Sequence, residues 1–229
     1  PLLQAGFKRN QCPEYPPLSS LFRRFCGVHH VRPIHHRTAM PSIAYEQYLL
    51  PLLNDAIEIE DAHKRLRTGN TGRQWGLGAL NRAAVVMCLS SWEAYVEELV
   101  KESVASFKPS VPANTLWQSI NADARAQIGR FNTPGTENVR RLIADTIGLQ
   151  DVTLSWHWQH TTVQQAKDRL TTALTHRHEV AHGVNPRPTI HNQYASGLPS
   201  FFQNLGLKTD RAVREYLVAT LHVPSPWPV

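Results

Sequence analysis

Cysteine is scarce in this sequence, and long apolar runs are absent. The three cysteines among the 229 residues, Cys12, Cys26 and Cys88, are too few and too scattered for a disulfide framework or a zinc knuckle. The best apolar stretch, around Val85 to Leu89, is far shorter than the about 20 residues that a membrane-spanning helix needs. Residues 1–39 also lack the order of a signal peptide. We therefore expect a cytosolic protein with reduced thiols and no membrane partner.

The body of the protein has little net charge, although the whole chain carries +6. Residues 1–39 contain six Lys/Arg and one acid, which leaves 18 bases and 17 acids for residues 40–229. Any contact of the body with a nucleic acid must therefore come from a local basic patch, because global attraction for phosphates is missing.

Residues 1–39 differ in composition and in periodicity from the rest of the chain. They are basic, contain several prolines and two His pairs, and show no sustained periodicity, whereas helical periodicity begins soon after Met40. We interpret residues 1–39 as an irregular tail, either disordered or not native to the protein, and Met40 as the natural start. Residues 40–229 are long enough to form one domain with a substantial core.

Apolar residues recur at helical spacing after Met40, and no strand pattern of any length appears. The spacing predicts helices at about 45–66, 77–99, 116–128, 136–148, 162–183, 199–206 and 210–222. Thr209-Asp210 is interpreted as the cap of the last helix, and residues 186–198 as a loop. Trp156 and Trp158 fall in a connecting loop, where we expect half-buried packing. The predicted fold class is an all-α bundle with antiparallel neighbours.

The segment Arg177-His178-Glu179-Val180-Ala181-His182 is the candidate functional centre. Its last five residues match His-Glu-x-x-His, a pattern in which two histidines one turn apart bind zinc and the glutamate is a general base. The extended pattern is incomplete, since Asn185 stands where a glycine is needed. A carboxylate ligand would have to come from the distant Asp210 or Glu215. A zinc hydrolase stays open as the less favoured reading.

Arg177 and His182 fit a second chemistry, the cleavage of RNA by its own 2′-hydroxyl. Histidine moves protons near neutral pH, and the planar fork of arginine matches the geometry of a phosphate. This reaction needs no metal and no cofactor. Five steps along a helix separate the two residues by roughly 140°. The long arginine side chain, a helix break or a second copy of the chain must therefore complete the cleft.

Two segments resemble a known family. Leu174 to Gly183 resembles the Arg-polar-x-x-x-His signature of HEPN domains, including the His-Gly that often ends it. Ser90 to Leu99 is similar to the first long helix of the HEPN branch that includes the ribonuclease L type. The order and separation of the two segments match that branch, so the resemblance covers about residues 40–222.

The resemblance implies a helical bundle that forms a homodimer with a composite cleft, and a metal-independent endoribonuclease that cuts an RNA substrate. Such domains often belong to toxin–antitoxin or anti-phage systems, so an antitoxin is a further expected partner. Arg177 would bind the phosphate and His182 would transfer protons. His178 occupies the position of a polar helper, and Glu93 matches an acidic position that would orient Arg177. An inactive HEPN module that binds RNA or regulates another protein is the main alternative.

Overall fold

The computed structural model describes residues 41–67, 77–108, 113–182, 189–224 and 226–227. All of them lie in the unit formed by Ala39–Val229. The predicted tail of residues 1–39 and the predicted start at Met40 lie outside the described residues.

Six α-helices make up most of the described chain. They are α1 (Leu50–Leu66), α2 (Gly78–Ser106), α3 (Asn114–Ile128), α4 (Thr136–Ile147), α5 (Val163–His182) and α6 (Asn192–Ala219). A π-helical segment, Tyr45–Leu49, leads directly into α1, and a 3-10 turn, Val152–Ser155, precedes α5. Apart from one isolated bridge between Trp158 and Thr161, the described residues form no β-structure. The predicted all-α fold is confirmed.

Helix α2 is the centre of the bundle and contacts each of the other five helices. Its side chains are buried on several faces, because apolar residues surround most of the helix instead of forming a single stripe. Trp92 and Tyr95, at the middle of α2, are fully buried, and Trp92 contacts the rings of Trp156 and Phe202. These ring contacts fix the position of Trp92 in the middle of α2, and Glu93 is the next residue.

The predicted division of residues 186–222 into a loop and two short helices is wrong, because α6 runs unbroken from Asn192 to Ala219. Thr209 does not cap a helix: its hydroxyl donates to the carbonyl of Leu205 and accepts the indole N–H of Trp156. Pro199 lies inside α6, where it is buried in the core, so packing compensates for its missing N–H donor. Residues 186–188 of the predicted loop lie outside the described part.

Asp210, the other residue of the predicted cap, instead holds the start of the described chain. It accepts the backbone N–H of Ser42 at 3.2 and 3.3 Å and also the Ser42 hydroxyl. Glu102 of α2 accepts the next two backbone N–H groups, those of Ile43 and Ala44. Burial raises the pKa of Asp210 to about 6, although the hydrogen bonds from Ser42 oppose that shift. Residues 42–44 are thereby tied to both α2 and α6.

The two loop tryptophans are part of the core. Trp156 is fully buried, and Trp158 is half-buried against the ring of Phe201. The predicted half-buried packing is thus found for Trp158, whereas Trp156 is buried more deeply than predicted. None of the helices in the described ranges combines the length and the apolar character that crossing a membrane would take.

Candidate functional site

Arg177 lies at the end of the buried stripe of α5. Ala166, Leu170 and Ala173 are fully buried and follow one another at the spacing of a single helix face. The same spacing continues to Arg177, so this position of the inward face holds a cation instead of an apolar residue. A cation on such a face needs an anionic partner.

Glu93 of α2 supplies that partner. Its Oε2 lies 3.2 Å from Nη2 of Arg177, and the two side chains keep 19% and 30% of their exposure. Burial raises the pKa of Glu93, and the positive charge of Arg177 opposes that rise. The structure thus brings together two residues that are 84 positions apart in the sequence. This contact is the one that an orienting role of Glu93 requires; the role itself stays a prediction.

His178 and His182 lie on the outer side of the same helix. Their ring centroids are 4.5 Å apart, because residues four apart share a helix face, and both side chains are exposed. Helix α5 is continuous as far as His182, so no break brings His182 round to Arg177. Arg177 and His182 are therefore roughly 140° apart around the axis of α5. One chain directs the guanidinium group inward and the two imidazoles outward.

His176 is a neighbour of the site that the sequence analysis did not single out. Its Nδ1 lies 3.5 Å from Oε2 of Glu179, and its ring packs edge-on against Tyr194 with centroids 5.3 Å apart. Glu179 is thus turned toward His176. The spacing of three residues between His176 and Glu179 is the signal that could have predicted this pair.

The carboxylates that the zinc alternative needs are engaged elsewhere. Asp210 binds Ser42 in the core, and Glu215 pairs with Arg211 at 2.7 Å. In the ranges that the structure describes, no group of three His, Cys, Asp or Glu side chains is arranged to hold a metal ion. Among the residues that the structure describes, none is therefore placed to join these two histidines as the third protein ligand that a catalytic zinc site uses.

A helical bundle with an Arg/His motif at the end of one helix, held against a long central helix by an Arg–Glu pair, is the architecture expected of a HEPN domain. The sequence model of the RiboL-PSP-HEPN family matches residues 51–215, and the chain belongs to that family. HEPN domains are generally ribonucleases or RNA-binding modules. No curated protein and no solved structure matches the chain.

Proposed function

We propose that this protein is a metal-independent endoribonuclease. The observation that carries the proposal is the placement of Arg177 by Glu93, at 3.2 Å, on the helix that also presents the exposed pair His178 and His182. A positioned guanidinium can bind a phosphate, and an accessible imidazole can move protons. Both groups stand in the signature of a family that generally acts on RNA.

The proposed reaction is an internal transfer at phosphorus. An imidazole of His182 removes the proton from the 2′-hydroxyl, whose oxygen forms a bond to the adjacent phosphorus while the bond from phosphorus to the 5′-oxygen breaks. The leaving 5′-oxygen takes a proton from the imidazolium that His182 has become. The products are a 2′,3′-cyclic phosphate and a free 5′-hydroxyl. Arg177 stabilises the charge that develops on the phosphorane oxygens.

The proposed enzyme is a homodimer with a composite cleft. Arg177 pairs with Glu93 of its own bundle, whereas His178 and His182 are exposed on the outer side of α5, and this difference in direction supports a cleft that a second chain completes. A second copy related by a two-fold axis places the histidines of each α5 beside the motif of the other.

A toxin or an anti-phage effector is the biological role that suits this activity. An unrestrained ribonuclease would degrade the RNA of its own cell, so the proposal includes a separate antitoxin partner. The alternative role is RNA binding without cleavage, because HEPN domains are generally ribonucleases or RNA-binding modules.

Incubation of the purified protein with RNA in excess chelator tests the proposed activity. We expect cleavage at the same rate with and without chelator, and products that end in a 2′,3′-cyclic phosphate and a 5′-hydroxyl. Binding of RNA without cleavage would favour the inactive module. Cleavage that stops in chelator and returns with zinc would instead favour the zinc hydrolase.

Glu93→Gln tests whether Glu93 orients Arg177. We expect this change to slow RNA cleavage about tenfold, equivalent to about 1.4 kcal/mol in the activation free energy, because the amide keeps the shape of the side chain but loses the charge that fixes Arg177. The rate constant at saturating RNA is the quantity to measure.

Glu97→Gln is the matched control for that change. Glu97 lies one turn further along α2, burial raises its pKa as it does for Glu93, and its nearest cation is Lys101 at 4.0 Å. We expect a change of less than about twofold in rate. Equal effects of the two substitutions would show that only the overall charge matters, and would remove the orienting role.

A further inference from the structure

An open groove with a polar lining lies between the end of α3 and helix α4. Its volume is about 350 Å³. The lining combines two guanidinium groups, three side-chain amides and one aromatic ring, from Arg130, Arg141, Gln127, Asn132, Asn138 and Phe131. We call it the α3–α4 groove. None of these residues belongs to the Arg/His motif or to the ion pair that supports it.

The loop that forms one wall of this groove is held by both helices of the candidate active site. The carbonyl of Pro134 accepts the indole N–H of Trp92 at 3.0 Å, and Trp92 directly precedes the glutamate that pairs with Arg177. Next to it, Gly135 lies so close to α5 that an added Cβ would be 3.2 Å from Cδ1 of Leu174. Leu174 is one helical turn before Arg177. The loop therefore connects the groove to the two helices that carry the Arg/His motif and its ion pair.

Neither arginine of the groove forms an ion pair with a carboxylate in the described structure, although the charge of Arg141 contributes, after the contacts from Arg140, to lowering the pKa of Glu137. Arg141 donates only to the amide oxygen of Asn138, at 3.2 Å, and Arg130 makes neither a side-chain hydrogen bond nor an ion pair with the described residues. Asp145 also lines the groove, so its net charge is close to +1. Guanidinium groups without an ion-paired carboxylate, beside amides, are suited to a ligand with phosphates and hydrogen-bonding edges.

Phe131 adds a surface for stacking. The side chain is half-buried, with part of the ring packed on the core and part lining the groove. Recognition of single-stranded RNA commonly joins cations for the phosphates, an aromatic ring for base stacking, and amides for the edges of the bases. A base paired in a duplex cannot offer its face and its edge in this way.

We propose that the α3–α4 groove binds a single-stranded segment of the RNA next to the cleavage point. This inference rests on the proposed ribonuclease function and adds a subsite to it. Arg130 and Arg141 hold phosphates, Phe131 stacks on a base, and Asn132 with Gln127 contacts its edge. The subsite limits cleavage to RNA that is unpaired beside the cut.

Binding of a short fluorescent single-stranded RNA by the full chain tests the subsite, with His182→Ala present in every variant so that cleavage is suppressed during the measurement. We expect the Arg130→Ala/Arg141→Ala double variant to bind at least tenfold more weakly. A plot of the logarithm of the binding constant against the logarithm of the salt concentration should also become less steep. The magnitude of its slope should decrease by about 1.4, since each lost contact to a single strand contributes about 0.7. A duplex of the same sequence should bind more weakly than the single strand. Its affinity should also fall less in the double variant than the affinity of the single strand does.

Arg140→Ala is the matched control. Arg140 neighbours Arg141 on α4, but it is held by Glu137 through two bonds of 2.9 and 2.5 Å. We expect its loss to change binding by less than about twofold, like other exposed ion pairs. Equal binding by the double variant and its parent overturns the subsite even if the protein cleaves RNA. Weaker binding by the double variant supports it even if the protein with an intact His182 cleaves no RNA.

Discussion

Replacing His182 with alanine is expected to lower the rate of RNA cleavage by about 10²–10⁴-fold, the range that general acid–base catalysis contributes. The reason is that the proposed reaction moves two protons, one from the 2′-hydroxyl and one to the 5′-oxygen. His182 is exposed, lies at the end of the described part of α5 and supports no buried contact. The change should therefore leave the free energy of unfolding within about 0.5 kcal/mol of the parent. Single-turnover cleavage and thermal unfolding are the two measurements.

His178→Ala provides the comparison for this loss. His178 shares the outer face of α5 with His182, and the two rings are 4.5 Å apart, so both substitutions alter the same surface. We expect a loss of about tenfold or less for His178→Ala, because a polar helper orients groups without taking a proton. An equal loss of activity in the two variants would contradict the assignment of proton transfer to His182 rather than to His178. If both retained full activity, a base from elsewhere would have to be found.

The all-α fold could be predicted from the sequence, but some of the helix boundaries could not. Periodicity alone indicated the long helices, because a helix that packs on a core must repeat its apolar residues about every 3.6 positions. The same reasoning failed at residues 186–222. Thr209 and Asp210 are favoured cap residues, yet here Trp156 and Ser42 satisfy them. Those partners lie 53 and 168 positions away, so no local pattern contains them.

The candidate site shows the same limit. Arg177 and His182 could be found because they stand in one short motif, and Glu93 because it matches a position in a similar helix. The α3–α4 groove left no such signal. Arg130 and Asn132 are single polar residues near a turn, and only the packing of that turn on α2 and α5 connects them to the helices of the motif. A site that is assembled from a loop leaves no periodic pattern in the sequence from which it could be predicted.

Mixing two inactive variants should restore cleavage if the active site is shared between chains. In Arg177→Gln dimers no chain offers the cation, and in His182→Ala dimers no chain offers the imidazole. After the two proteins are unfolded together and refolded, about half of the dimers hold one chain of each kind. In such a dimer, the remaining arginine and the remaining histidine belong to different chains. We expect activity at least tenfold above that of either variant alone, measured as single-turnover RNA cleavage.

The value of this experiment lies in the geometry of α5. A continuous helix keeps Arg177 and His182 roughly 140° apart, and Arg177 is turned inward to Glu93. If the pair nevertheless acted within one chain, the mixed dimers would stay inactive, since neither chain would hold both groups. Arg177→Gln is preferred to alanine because its amide still reaches toward Glu93, which limits the cost of leaving a half-buried carboxylate without a partner. Sedimentation of the mixture must show dimers. A monomer that cleaves RNA, or a verified mixed dimer that does not, would exclude a cleft made from two copies and leave the long arginine side chain to close the distance alone.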